Sequence, residues 1–503
     1  MKLLKLIFSR FIIVATLFVV QLFLLYAIFF TTFTSSVIAQ SITVVVCVVV
    51  LLVIINRVES PEFKLPWLVL FFILPFFTAM LYLLLSAPRL KRKESKILKE
   101  SAEKIYAHVP KIEKPIDTLK DNKGVANYLH TIAKAGLYSY ENARYFSLGE
   151  DFFADLKRTL KTANRFIFLE YFIIQEGKMW NEIHAILKEK ASAGVDVRVV
   201  YDDIGSLGKL KASYFKKLQK EGIKCYKFNP FRPVLSGIFN HRDHRKIAVI
   251  DGKVAYTGGI NLADEYINEV KPYGRFKDVA IRLEGDCVIP FTAMFLLTYD
   301  LLSKTESDYA QLLKPTQQSE EKRGYIQPFA DGPKPFYSDL IAQNNFINVI
   351  SSAKEYVYIT TPYFIVDFSL LSAIMNCAKR GVDVRIITPR IPDKKTIHAI
   401  TRSYYETLCG AGVKVYEYSQ GFIHGKTLVC DGNVAFVGTV NFDYRSLVHH
   451  FECGAMIYDA PIIEDIKNDF IKTQSESESV KDLTLPFFTK VFCSLIKIFT
   501  PLL

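Results

Sequence analysis

The chain has 503 residues, half of them hydrophobic, which is too long for one ordinary core and too apolar for a wholly soluble protein. Its 63 basic and 51 acidic side chains leave a net charge of +12; this implies an anionic partner, either a membrane surface or a nucleic acid. Eight scattered cysteines without a Cys-x2-Cys pair, and nine histidines without a His-Glu-x-x-His arrangement, suggest neither a disulfide framework nor a zinc site, so no metal or other cofactor is expected.

Three apolar runs open the chain, at about 11–33, 37–55 and 66–86. Each is close to the ~20 residues that span a ~30 Å hydrocarbon core. They predict N-terminal transmembrane helices and a multi-pass protein of the cell membrane, with residues 1–88 as the anchoring region. A signal peptide is the competing reading of the first run, opposed by the two further runs and the lack of a small-residue cleavage site. Flanking charge points both ways. Lys2, Lys5 and Arg10 favour a cytoplasmic N-terminus, and three spans would then put the catalytic part outside. Arg89, Lys91, Arg92, Lys93, Lys96 and Lys99 favour the inside. They begin a basic juxtamembrane linker at 89–140, suited to anionic lipid headgroups as well as to a stop-transfer flank.

Beyond residue 140 the sequence repeats itself. The apolar run from Arg165 to Phe172 corresponds to that from Tyr356 to Phe364, and each reads as a buried strand. Gly-Val-Asp-Val-Arg then occurs at 194–198 and at 381–385, each time after a helical stretch and opening another strand. Strand, helix, strand predicts two α/β domains with pseudo-two-fold symmetry, at 141–302 and 325–480, joined by a polar linker at 303–324. The final segment, 481–503, is amphipathic. Phe488, Val491, Phe492, Leu495 and Phe499 recur at helical spacing beside Lys490 and Lys497, as in a core helix or an interfacial one.

Each half carries one copy of a motif, His244-x-Lys246-x4-Asp251 and His424-x-Lys426-x4-Asp431. The matching extends to Asn261 and Asn441, each seventeen residues beyond its histidine. A short apolar run, Asp-Gly and a second apolar run predict a β-hairpin in each copy. Histidine and lysine then share one strand face. A two-residue turn would set His244 opposite Gly259 and His424 opposite Thr439, small residues that let a phosphate approach the backbone, with Asn261 and Asn441 as amide donors. Seven strand residues span about 23 Å, so Asp251 and Asp431 cannot touch their own histidines and are expected to fix the turns. Asp278 and Glu452, each downstream of its own hairpin, are expected to orient the imidazoles and free one ring nitrogen of each for attack.

These residues resemble the phospholipase D superfamily, whose hallmark is a pair of HxKxxxxD motifs. The surrounding words are similar to those of bacterial cardiolipin synthases: Asn240 to Lys246, Gly258 to Tyr266, Thr360 to Phe364, Gly421 to His424, Gly438 to Ser446, and Phe451-Glu452. The resemblance implies two phospholipase D-like domains and a phosphatidyl transfer between two phosphatidylglycerols that gives cardiolipin and glycerol. It also implies a phosphohistidine intermediate, with His244 as nucleophile, His424 as acid and base, and Lys246, Lys426, Asn261 and Asn441 on the phosphoryl oxygens. The expected partners are the anionic phospholipid and the membrane, with no nucleic acid.

Overall fold

The apolar runs of the two repeats become the central strands of two β-sheets. The computed structural model describes residues 37–85, 88–230, 241–315, 324–334, 336–480 and 485–502, with isolated positions between 19 and 31. In the first half the strands are β1 (Asn142–Phe146), β2 (Phe166–Tyr171), β3 (Asp196–Asp202), β4 (Lys224–Phe228), β5 (Lys246–Ile250), β6 (Val254–Gly258), β7 (Arg275–Lys277) and β8 (Ala280–Glu284). In the second they are β9 (Tyr325–Asp331), β10 (Tyr356–Thr360), β11 (Phe364–Ile365), β12 (Asp383–Pro389), β13 (Lys414–Tyr418), β14 (Gly421–Ile423), β15 (Thr427–Cys430), β16 (Val434–Gly438), β17 (Phe442–Asp443), β18 (Glu452–Tyr458) and β19 (Ser477–Val480). One sheet has the order β1-β8-β6-β5-β2-β3-β4, the other β19-β13-β12-β10-β15-β16-β18-β9.

In both halves the repeat is a right place for a crossover. β2 and β3 pair in parallel around the helix Lys178–Ser192, and β10 and β12 around the helix Phe368–Lys379. The repeated Gly-Val-Asp-Val-Arg is the device that turns helix into strand. Its glycine takes a left-handed φ, +89° at Gly194 and +92° at Gly381, which a side chain would strain. Its Asp and Arg then pair across one strand face, Arg198 Nε to Asp196 at 2.9 Å and Arg385 Nε to Asp383 at 2.8 Å.

The two sheets share one apolar core. Phe166, Phe168, Ile247 and Val249 from the first meet Val429, Val437, Ala455 and Ile457 of the second in the same cluster. The helix Val288–Ser303 runs through it, buried at every position from Val288 to Asp300. Such a shared core fixes the two halves as one body, which a site assembled from both of them requires.

The β5–β6 and β15–β16 hairpins form as expected, but with a different register. Ile250 pairs with Val254 and Cys430 with Val434, so each loop holds three residues. Asp251 and Gly252 (φ +55° and +69°), like Asp431 and Gly432 (+49° and +72°), are both left-handed, and the next N–H closes the turn on Ile250 O or Cys430 O. The ladder therefore does not set His244 opposite Gly259 or His424 opposite Thr439. Each turn aspartate instead accepts three backbone N–H groups from the start of the neighbouring strand. For Asp251 these are Asn164, Arg165 and Phe166 at 2.8 to 2.9 Å. For Asp431 they are Lys354, Glu355 and Tyr356 at 2.7 to 2.9 Å.

At the N-terminus the expected run at 11–33 lies almost wholly outside the described residues. The next elements are α1 (Val37–Asn56), α2 (Pro61–Ile73), α3 (Pro75–Leu85) and α4 (Pro88–Tyr106). Val50, Ile54, Phe71, Ala79 and Tyr82 pack α1, α2 and α3 together. Among the described residues no helix is long and apolar enough to cross a membrane. Side chains at 39, 40 and 43 of α1 fall outside the described set. The run expected as one span over 66–86 is cut in two, because Pro75 has no N–H to continue the helix past Leu74. α2 docks on the second half. Phe63 meets Tyr444 edge-on at 5.7 Å, and Glu62 accepts the Phe368 N–H at 3.0 Å. The C-terminal helix Phe487–Phe499 buries Cys493 and sets the Lys497 ammonium 3.9 Å from the Tyr404 ring centroid, while Phe487, Phe488, Val491, Phe492 and Leu495 stay exposed.

Asp251→Ala would leave three donors at the head of β2 without their acceptor. It should lower stability by about 1–3 kcal/mol, as should Asp431→Ala, measured by urea unfolding.

Candidate active site

Two short parallel contacts between the halves build the site. β14 runs alongside β7, pairing Gly421 with Arg275, Phe422 with Phe276 and Ile423 with Lys277. The His424 N–H extends this contact to Lys277 O at 2.7 Å. Opposite, Asp243 bridges Phe451 in parallel, and the His244 N–H donates to Phe451 O at 2.9 Å. Each histidine is thus bonded to the residue just before a carboxylate of the other half. The strand carrying His244 is held from beneath, where Arg242 is paired with Asp202 at 2.8 Å and Arg245 with Glu170 at 2.8 Å and Asp243 at 2.9 Å.

Asp278 and Glu452 do meet the imidazoles, but the pairs cross. His424 Nδ1 lies 2.6 Å from Asp278, and His244 Nδ1 lies 2.9 and 3.1 Å from the two oxygens of Glu452. All four side chains are buried. Burial pushes His424 down to about 4, Lys426 adds to this, and Asp278 opposes it. Burial likewise pushes His244 well below the usual imidazole range, with Lys246 and His450 adding and Glu452 opposing. Burial alone would raise the two carboxylic acids; the attraction of His244 nevertheless holds Glu452 low, and His424 with Lys426 holds Asp278 low. The result is two neutral imidazoles, each donating an Nδ1–H hydrogen bond to a carboxylate and keeping a lone pair on Nε2.

The lysines are the cations of the site. Burial pushes Lys246 down to about 8 and Lys426 to about 7. Each ammonium donates to the carbonyl oxygen of its own motif histidine, at 2.5 Å for Lys246. A bound phosphodiester anion would favour the charged form of both.

The remaining expected residues divide. The Asn261 amide donates to Tyr266 Oη at 2.6 Å and accepts the Ile173 N–H at 3.0 Å. Asn441 is less engaged: Nδ2 reaches Asp443 at 3.5 Å, and its buried Oδ1 has no hydrogen-bond partner. Gly259 and Thr439 serve the carboxylates. A Cβ at Gly259 would lie 2.0 Å from Asp278 Oδ1, so glycine is what admits that side chain. The Thr439 hydroxyl donates to Glu452 and accepts the Cys453 N–H at 3.0 Å. Asp251 and Asp431 stay at the far ends of their hairpins.

Sequence reasoning missed His450, a buried imidazole 5.4 Å from the His244 ring with Nδ1 3.7 Å from Glu452. It belongs to no motif, and its only signal is its place two residues before Glu452. It also missed the aromatic walls, Phe172 at 5.0 Å from His244 and Tyr266 at 5.5 Å from His424, both edge-on. Among the described residues, His244, His450 and Glu452 form a group that could hold a metal ion, with one ligand atom of each within 4.8 Å of the others. Two imidazoles and a carboxylate suit a zinc-like ion, although no metal was expected from the sequence.

Because Lys426 loses its proton near pH 7 and Lys246 near pH 8 in the free protein, binding of an anionic diester should weaken as pH rises through that window. The apparent Kd of a soluble glycerophosphodiester should rise roughly 10³-fold between pH 6.5 and 9 by titration calorimetry if both lysines must be charged, since each proton that must be regained costs one unit of log K per pH unit above its own pKa. Lys426→Gln should flatten the lower part of that rise.

Comparison with known proteins agrees with this geometry. A family profile described as cardiolipin synthase, PLD-like domain, matches residues 156–271 and 346–473. A protein of Streptococcus mutans with no assigned function is 42% identical over 421 residues, covering 82% of this chain and 90% of that one. A cardiolipin synthase of Halalkalibacterium halodurans is 32% identical over 429 residues, covering 84% of this chain and 85% of that one. Among solved structures, phosphatidylserine synthase of Haemophilus influenzae shares the fold with a TM-score of 0.58 at 13% identity, covering 76% of this chain and all of that one. Two sheets carrying one crossed pair of His-Lys motifs, together with a relative matched along most of both chains, place this chain in the cardiolipin synthase family of phospholipase D-like enzymes.

Proposed function

We propose that the chain is a cardiolipin synthase that moves a phosphatidyl group between two phosphatidylglycerol molecules. The observation that carries the proposal is the crossed arrangement, in which each half supplies a histidine and the carboxylate for the other half's histidine. His244 Nε2 attacks the phosphorus of the first phosphatidylglycerol. As the P–N bond forms, the bond to the glycerol oxygen breaks and His424 gives that oxygen a proton. The bound anion favours this proton on His424, which the empty site disfavours. The free primary hydroxyl of the second phosphatidylglycerol then loses its proton to His424, its oxygen bonds to phosphorus, and the P–N bond breaks. Cardiolipin and glycerol are the products, and the enzyme is restored.

Splitting one displacement into two keeps each step within reach of a neutral imidazole. Lys246 and Lys426 stabilise the charge that grows on the equatorial phosphoryl oxygens. Asn441, with the freer amide, is the better additional donor, and Asn261 acts through its bond to Tyr266. Asp278, Glu452, Gly259 and Thr439 position the imidazoles, and Asp251 and Asp431 position the hairpins.

Membrane attachment is part of the same proposal. The lipid substrate resides in a bilayer, and the run at 11–33, the exposed apolar side chains of α1 and those of the C-terminal helix together offer apolar surface for multi-pass or interfacial anchoring.

Membranes containing the protein, incubated with phosphatidylglycerol, should yield cardiolipin and glycerol. His244→Ala and His424→Ala should each lower the rate by at least about 10³-fold, because the first removes the nucleophile and the second the acid that protonates the leaving glycerol. Phosphatidic acid formed without cardiolipin would identify water as the acceptor and overturn the synthase reading.

A further inference from the structure

The two halves treat their matched asparagines differently. Counted from Asn261 and Asn441, Leu262 stands where Phe442 does, Ala263 where Asp443 does, and Tyr266 where Ser446 does. Backbone pairing follows the same match, since Ile174 bridges Leu262 in parallel as Phe364 pairs with Phe442. In the first half Asn261 is saturated. The Ile173 N–H satisfies its oxygen, and Tyr266 Oη takes its amide hydrogen while the Tyr266 ring lies 5.5 Å from His424.

The second half leaves the same polar atoms open. Asn441 is 5% exposed and Ser446 is 1% exposed, yet neither Asn441 Oδ1 nor Ser446 Oγ has a hydrogen-bond partner. Asp443 ties the two residues into one cluster. Its Oδ1 accepts the Ser446 N–H at 2.8 Å, and its Oδ2 lies 3.5 Å from Asn441 Nδ2. The cluster borders the reacting centre, because the charge of Asp443 acts on Lys426, and Glu452 and His450 act on Asp443.

A buried polar atom without a partner is costly, so two of them in one cluster mark a place that a ligand completes. Their chemistry narrows the ligand. Asn441 Oδ1 and the Asp443 carboxylate only accept hydrogen bonds, whereas Ser446 Oγ can accept or donate. A phosphate oxygen finds too few donors there. An ammonium group would be drawn to Asp443 but repelled by the charged forms of Lys246 and Lys426. A neutral group carrying more than one hydroxyl satisfies every atom of the cluster.

We infer that Asn441, Asp443 and Ser446 form a subsite for the hydroxyls of a polyol headgroup, and that this subsite makes the enzyme choose a glycerol-bearing acceptor over a plain alcohol. The inference rests on the phosphatidyl-transfer reading and names the residues that recognise its acceptor. Asn441 serves both parts of one headgroup, with Nδ2 toward the phosphoryl oxygens and Oδ1 toward a hydroxyl a few bonds away. The first half has no such subsite, since Tyr266 and Ala263 replace the hydroxyl and the carboxylate.

The test sets two alcohols in competition. Membranes holding the full-length protein receive phosphatidylglycerol with equal concentrations of deuterated glycerol and 1-propanol. Either alcohol can take the phosphatidyl group: its oxygen bonds to phosphorus, the bond to the histidine breaks, and its proton passes to His424. The ratio of deuterated phosphatidylglycerol to phosphatidylpropanol, read by mass spectrometry, reports the choice of acceptor independently of the overall rate. The wild type should favour glycerol by at least about tenfold, and Ser446→Ala and Asp443→Ala should each lower that preference about fivefold or more. Ser446→Ala removes a hydroxyl that has no partner in the free protein, so its urea midpoint should not fall. A second reading needs no transfer: by calorimetry the wild type should bind glycerophosphoglycerol more tightly than glycerophosphopropanol, and Ser446→Ala should lose the difference. An unchanged ratio in Ser446→Ala, equal binding of the two diesters by the wild type, or a preference for ethanolamine over glycerol as acceptor overturns the inference. Absence of any transfer by the wild type counts against the phosphatidyl-transfer reading, and the calorimetry then decides the subsite alone.

Discussion

The structure depends on the exchange of carboxylates between its halves. A histidine buried this deeply loses its proton, and a neutral imidazole with no partner on Nδ1 could adopt either tautomer. Asp278 and Glu452 remove that freedom, and each comes from the other half of the chain to do so. The peptide contacts that bring them there are short strand pairings that include the bonds from His424 N–H to Lys277 O and from His244 N–H to Phe451 O. The shared core around Val288–Ser303 serves this geometry, because a small slip between the sheets would separate both pairs together.

The two copies solve the same packing problem with different side chains. Glu452 is one methylene longer than Asp278 and takes a second anchor from the Thr439 hydroxyl. Asp278 is shorter, and its Oδ1 both fills the space that a side chain at residue 259 would need and accepts the Val279 N–H at 2.8 Å. Glycine and threonine at equivalent positions are therefore matched to the acid they face, and a swap of either alone would break the match.

Much of this was legible in the sequence because it repeats. Two copies of His-x-Lys-x4-Asp-Gly at fixed spacing specify two hairpins, and the length of a strand rules out contact between Asp251 and His244. The identity of the orienting acids was legible for the same reason, as carboxylates just beyond each hairpin. That the pairs cross was not, since nothing within one half records which neighbour its strand end will meet. The register was missed because two left-handed residues and a third loop residue look, in sequence, like a two-residue turn. Gly259 was read as space for phosphate when the occupant is a side chain of the same protein. His450 carries no motif at all, and the break at Pro75 was hidden within a run of uniform hydropathy.

The crossed carboxylates bear on how such a chain could have arisen. A half-length protein with one histidine and one acid could not orient its own imidazole in this geometry, since the acid that does so always comes from the other copy. It could function only as a symmetric pair. Fusing two copies into one chain preserves that mutual dependence and frees each copy to vary, so residues such as Tyr266 and Ser446 can diverge where a symmetric pair would have to keep them identical.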